Sequence, residues 1–217
     1  MMDYLFLIPR FFQSGGWWMY PILFVFGGGV AISIERYIKL SYATRRNRNA
    51  WNEVRPILEE GDFDHAREIT SASNTELGTI LSLGLSRQGA VRRRDDIEIA
   101  MEEGMLEIIP QLEKRTPYVA LCSNMSTMLG LLGTIMGLIG AFTAVADANP
   151  AEKADLLARY ISVAMNTTAF GLMAGIPLLF VHAILSTKTT EIVDSLEMAQ
   201  VKTLNIMTEF AKQDTSF

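Results

Sequence analysis

Histidine, cysteine and, across three long stretches, charge are what this chain has least of. Cys122 is the single cysteine among 217 residues. One thiol excludes an intrachain disulfide and a thiolate metal cluster. The two histidines, His65 and His182, stand far apart and outside any Cys/His metal spacing. No phosphate-binding glycine loop and no HExxH pair occurs. The chain therefore does not read as an enzyme, and no cofactor or metal is expected. Strand-like alternation and long internal repeats are also missing. A net charge of −5 gives no nucleic-acid character. The first charge is Asp3, with no basic leader before an apolar core, so no cleaved signal peptide is expected.

The missing charge is the most informative lack. Residues 11–34, 116–146 and 160–187 contain no Asp, Glu, Lys or Arg. Each run exceeds the ~18 apolar residues that mark a transmembrane candidate. A proton relay across a bilayer normally uses a titratable group inside it. His182 lies too near one end of its run to serve a whole path. If this chain conducts ions, the carboxylate must come from another subunit.

What is present fits one membrane unit with a sizeable aqueous part. The composition is 49% hydrophobic and 20% charged, with mean hydropathy +0.21. The expected class is an all-α membrane protein with three transmembrane helices, the second and third extended into a helical cytoplasmic domain. Residues 1–14 read as a short amphipathic segment at the membrane surface. Residues 15–36 form the first span, with Trp17, Trp18 and Tyr20 at one interface and Tyr37 and Tyr42 at the other. Gly27, Gly28 and Gly29 suit a place where another helix presses close. Arg36, Lys39, Arg45, Arg46, Arg48 and Arg55 follow. The positive-inside rule makes that side cytoplasmic and the N-terminus external.

Residues 37–115 read as a helical cytoplasmic domain. Gly61-Asp62 breaks one helix from the next. Asn74 is placed to cap a helix with Leu77, Ile80, Leu81 and Leu85 on one side. A second stripe, Ile97, Met101, Met105, Ile108 and Leu112, begins after Arg92–Arg94 and meets a kink expected at Pro110. Lys114 and Arg115 anchor the second span, residues 116–146. Residues 147–159 form a short external loop and a helix start. There Asn149, Pro150 and Glu152 fit a capping-box pattern. The third span covers residues 160–187. Residues 188–217 continue as a C-terminal cytoplasmic helix, because Ile192, Leu196, Ala199, Thr203, Ile206 and Phe210 keep a four-three spacing.

Small and weakly polar residues gather on the second and third spans. Thr127, Gly130, Thr134, Gly137 and Ala141 share one helical face, with Gly133 and Gly140 beside it. Ala164, Thr168, Gly171 and Gly175 share a face on the third span, near Asn166 and Thr167. Such stripes let helices approach closely. They read either as a plain packing seam or as the lining of a pore. Ser123, Asn124 and Ser126 are expected to bond back to their own helix.

Three stretches carry a family resemblance. They are LGLLGTIMGLIGAF at residues 129–142, ISVAMNTTAFGLMAGIPLLFVHAIL at 161–185 and LEEGDFDHAREITS at 58–71. With them the chain resembles the MotA/TolQ/ExbB proton-channel family over nearly its whole length. The resemblance implies an inner-membrane homo-oligomer, a pentamer, in the lipid bilayer. At its centre would stand two copies of a single-span partner like ExbD, TolR or MotB that supplies a membrane Asp. Proton flow would then power work at the cell envelope. The family's pore-facing threonines match Thr134 and Thr168. ExbB and TolQ members carry Glu where this chain has Val163, while MotA-like members manage without it. A structural scaffold whose Gly/Thr faces only pack helices is the alternative. A permease is disfavoured by three spans without an inverted repeat.

Overall fold

The computed structural model describes residues 15–88 and 94–214, with side chains to residue 211. All regular elements among them are helices: α1 (Met19–Glu60), α2 (Phe63–Ala72), α3 (Glu76–Arg87), α4 (Arg94–Glu113), α5 (Thr116–Ala146) and α6 (Lys153–Asp214). Three helical stretches among the described residues are long and apolar enough to cross a bilayer. The expected all-α membrane class is therefore the observed one. The amphipathic segment expected at residues 1–14, together with Arg92 and Arg93, lies outside the described residues.

The chain divides into two compact units. The first comprises the described part of Met1–Glu35 with Arg115–Ile184. Many of its large apolar side chains are exposed: Phe24 at 84%, Phe180 at 70% and Phe142 at 69%. A surface facing water rarely carries so much contiguous apolar area, whereas a surface facing lipid requires it. The inside of this unit is small-residue packing. Gly29 lies where an added Cβ would come 3.0 Å from the Cβ of Cys122 and 2.8 Å from Leu178. Gly27 and Gly28 face open space, with nothing within 4 Å of an added Cβ. Of the three consecutive glycines, only Gly29 is pressed by another helix of the same chain.

The second unit comprises Arg36–Lys114 with Leu185–Phe217. Its core is a conventional apolar one. Leu40, Leu58, Leu77, Ile80, Leu81, Leu85 and Met101 are almost fully buried. Burying each such side chain contributes about 1.5–3 kcal/mol. The two stripes expected on α3 and α4 are buried in full. From the distal part of α6, Ile192, Leu196, Ala199 and Thr203 are buried as their spacing requires. The Phe63 and Phe210 rings meet edge to face at 5.5 Å. Gly61, at φ +83°, closes α1 in the left-handed region that glycine tolerates.

Several boundaries differ from expectation for local reasons. The cap of α3 is Thr75, not Asn74: the Thr75 hydroxyl accepts from Gly78 N at 3.0 Å. Asn149 does not cap α6. Residues 149–152 instead form a turn closed by Glu152 N donating to Asn149 O at 3.0 Å, and the helix starts at Lys153. The path from α4 into α5 breaks at Lys114–Arg115, where Arg115 takes φ 68°. Its guanidinium donates to both Glu35 carboxylate oxygens at 2.9 Å. Pro110 sits inside α4, which runs on to Glu113. The first span does not end its helix at the basic cluster, since α1 continues to Glu60.

Candidate functional site

The seam between α5 and α6 is built where side chains are absent. An added Cβ at Gly130 would lie 3.1 Å from Gly171 Cα and 3.2 Å from Thr167 O. At Gly171 it would lie 2.7 Å from Ser126 O and 2.9 Å from Gly130 Cα. At Gly175 it would meet the Thr127 hydroxyl at 2.5 Å and Ser123 O at 3.0 Å. Gly137 faces Ala164, and Gly140 faces the Tyr160 ring at 3.2 Å. Gly133 lies against the Thr167 side chain and against Trp18. Backbone thus meets backbone, which only glycine permits.

This close approach brings hydroxyls onto carbonyls across the seam. The Thr134 and Thr168 hydroxyls are hydrogen-bonded to each other. Thr168 also donates to Gly130 O at 3.1 Å, and Thr134 reaches Gly130 O at 3.2 Å and Ala164 O at 3.4 Å. Both threonines are half-buried. A threonine hydroxyl has one proton to donate and two lone pairs to accept with. With the two protons directed among carbonyls and each other, lone pairs remain for an incoming donor. That donor can be a water or a protonated carboxyl.

The other residues singled out by sequence fall around this pair. Thr127 is exposed and donates to Ser123 O at 3.2 Å. Thr167, one residue before Thr168, points about 100° away around the helix. It is fully buried and donates to Gly15 O at 2.9 Å and Val163 O at 2.8 Å. Asn166 is half-buried. Thr134 and Thr168 are thus brought together, while Thr167 is committed to the segment before α1.

Ser123 is the residue that sequence reasoning undervalued. Its hydroxyl does not bond back along α5 but donates across the seam to Gly175 O at 2.6 Å. Ser126 does bond back, to Cys122 O at 2.9 Å. Both serines are buried, and both choices are open to serine in a helix. The signal was Gly175, whose missing side chain exposes a carbonyl to a neighbouring donor.

The model of the MotA/TolQ/ExbB proton channel family matches residues 72–198, which include α5 and most of α6. The chain belongs to the MotA/TolQ/ExbB family. Among curated relatives, the Tol-Pal system protein TolQ of Haemophilus influenzae is 36% identical over 43% of this chain. The match spans 40% of the length of that TolQ protein. A putative biopolymer transport protein ExbB homolog of Methanothermobacter thermautotrophicus is 25% identical over 90% of this chain and 69% of its own length. The biopolymer transport protein exbB1 of Vibrio cholerae is 42% identical over 27% of this chain and 26% of its own length. For a chain of the MotA/TolQ/ExbB family, the glycine-lined seam and its hydroxyl pair lie inside the matched region.

Proposed function

We propose that this chain is the pore-forming subunit of an inner-membrane complex driven by the proton-motive force. The observation that carries the reading is the Thr134–Thr168 hydroxyl pair in spans that hold no Asp, Glu, Lys or Arg of their own. Such a pair can bind a carboxyl in both protonation states. It accepts a hydrogen bond from the protonated acid and, with one hydroxyl turned from its seam carbonyl, donates one to the carboxylate. It cannot itself store a proton at neutral pH. The acid is therefore supplied by a single-span partner of the ExbD, TolR or MotB kind, carrying a membrane Asp. Thr127 extends the path, and Asn166 and Thr167 belong to the same stretch of α6.

Five copies of this chain surround two copies of the partner. The spans are residues 15–36, 116–146 and 160–187, with the N-terminus outside and the C-terminus in the cytoplasm. Residues 37–115 and 188–217 form the cytoplasmic part, and residues 147–159 the short external link. The complex is a transducer, not an enzyme, and delivers work at the envelope.

A scaffold role has one specific observation in its favour. The hydroxyls of the pair also bond carbonyls of their own seam, as packing residues do. Copurification separates the two readings. The transducer reading expects a single-span protein with one membrane Asp to purify with this chain, and native mass spectrometry to count five chains and two partners. A stable monomer, or an oligomer that never recruits such a partner, would support the scaffold.

A further inference from the structure

The second unit contains a cavity that the ion path does not use. It measures about 240 Å³ and is lined by Arg36, Lys39, Tyr42 and Arg46 of α1, by Glu76 of α3 and by Gln111 of α4, among others. A single ordered water needs only ~10–15 Å³ of such space, so the cavity has room for a larger group. Arg36, Lys39, Ala43 and Arg46 follow one another at three- and four-residue steps and share one face of α1. Ala43 keeps the floor of that face low. Arg36 is buried, and its guanidinium donates to Leu112 O. Arg46 donates to Asn74 O and stands over the Tyr42 ring at 5.3 Å. These bonds fix both guanidiniums at the cavity wall.

The same lining includes a carboxylate, that of Glu76. Glu76 Oε2 is buried and has no hydrogen-bond partner. Buried carboxylate oxygens are rarely left without a donor. The cavity lining thus combines three cations with a carboxylate. A simple anion satisfies only the first, and a simple cation only the second.

The cavity also lies at a particular height along α1. The uncharged run ends at Ile34, and Arg36 is the second residue beyond it. Tyr37 and Tyr42 are 52% and 62% exposed, as aromatic residues at a headgroup level are. Basic pockets just beyond a span are suited to phospholipid headgroups.

We infer that this cavity binds the headgroup of an amine-bearing phospholipid from the adjoining leaflet. The phosphodiester lies against Arg36, Lys39 and Arg46, and the primary ammonium donates to the Glu76 carboxylate. The inference rests on the membrane character of the chain and is independent of ion conduction. A chain that conducts nothing still binds the lipid.

The test uses the full chain in detergent, delipidated and then offered equal amounts of phosphatidylethanolamine, phosphatidylcholine and phosphatidylglycerol with matched acyl chains. Retained lipid is counted by native mass spectrometry. Phosphatidylethanolamine should be retained about tenfold over phosphatidylcholine, whose quaternary nitrogen has no N–H to give. Glu76→Gln should keep phospholipid binding but bring that ratio close to one. Lys39→Gln, at an exposed position, should weaken retention of all three lipids. Equal retention of the ethanolamine and choline lipids, or a ratio unchanged by Glu76→Gln, would overturn the inference. So would preference for phosphatidylglycerol, which would mark a purely anionic site. Displacement of bound lipid by inorganic phosphate at equal concentration would assign the cavity to free phosphate instead.

Discussion

Replacing Gly171 by alanine adds one methyl group and sets two effects against each other. Alanine is a better helix former than glycine by about 1 kcal/mol, which favours the variant. The new Cβ, however, would lie 2.7 Å from Ser126 O and 2.9 Å from Gly130 Cα. Both are backbone atoms, so no rotamer change relieves the clash. Restoring ordinary contact requires α5 and α6 to part by about 0.7 Å. Overpacking of this kind costs about 1–3 kcal/mol, so the clash wins over the propensity gain. The parting also lengthens the Ser123–Gly175 bond and pulls Thr134 from Thr168. Gly27→Ala is the matched control, because nothing lies within 4 Å of its added Cβ. Thermal unfolding in detergent reads the difference. Gly171→Ala should lower the midpoint clearly, while Gly27→Ala should leave it unchanged or raise it. Equal midpoints for the two variants would refute the argument that backbone approach at Gly130 and Gly171 sets the seam.

Two further outcomes are expected. A cysteine at Ala151 should react with a membrane-impermeant maleimide on intact cells, as an external link between the second and third spans requires; reaction only after lysis would reverse the topology. Arg115→Gly should change stability by less than about 1 kcal/mol, because relief of the left-handed backbone offsets the loss of the exposed ion pair to Glu35. Arg115→Val should be clearly less stable by chemical denaturation, since a β-branched residue tolerates that backbone least. Similar stability for the glycine and valine variants would argue that the φ 68° conformation is not maintained.

The long-range order of this chain was legible because its signals are coarse. Three charge-free runs announce three membrane helices, and the four-three spacing from Ile192 to Phe210 announces that α6 continues beyond its apolar part. The buried stripes of α3 and α4 were legible for the same reason, since periodicity integrates over several turns. Single-residue choices were not. Asn74 and Thr75 are both good caps, and only backbone geometry selects Thr75. Asn149-Pro150 suits a tight turn as well as a helix start, and the turn forms. The continuity of α1 was hidden by the change of composition at Arg36, because a helix does not need to end where its environment changes. At the seam, the helical faces placed Thr134 and Thr168 on small-residue stripes. Nothing in the spacing revealed that their hydroxyls meet, or that Ser123 reaches Gly175, because both depend on how deeply two helices interpenetrate.

The central claim is that the Thr134–Thr168 pair serves ion movement and not packing alone. The direct measurement is proton flux into liposomes containing the assembled complex under an imposed pH gradient, for Thr134→Val, Thr168→Val and Thr189→Val. Valine keeps the shape of threonine and removes the hydroxyl. Thr189 is the fitting control, because it is buried and its hydroxyl bonds only to Leu185 O of its own helix, at 3.0 Å. The account predicts normal assembly in all three, a fall in flux of about tenfold or more for each seam variant, and no change for Thr189→Val. Full flux through assembled complexes carrying Thr134→Val and Thr168→Val would contradict it.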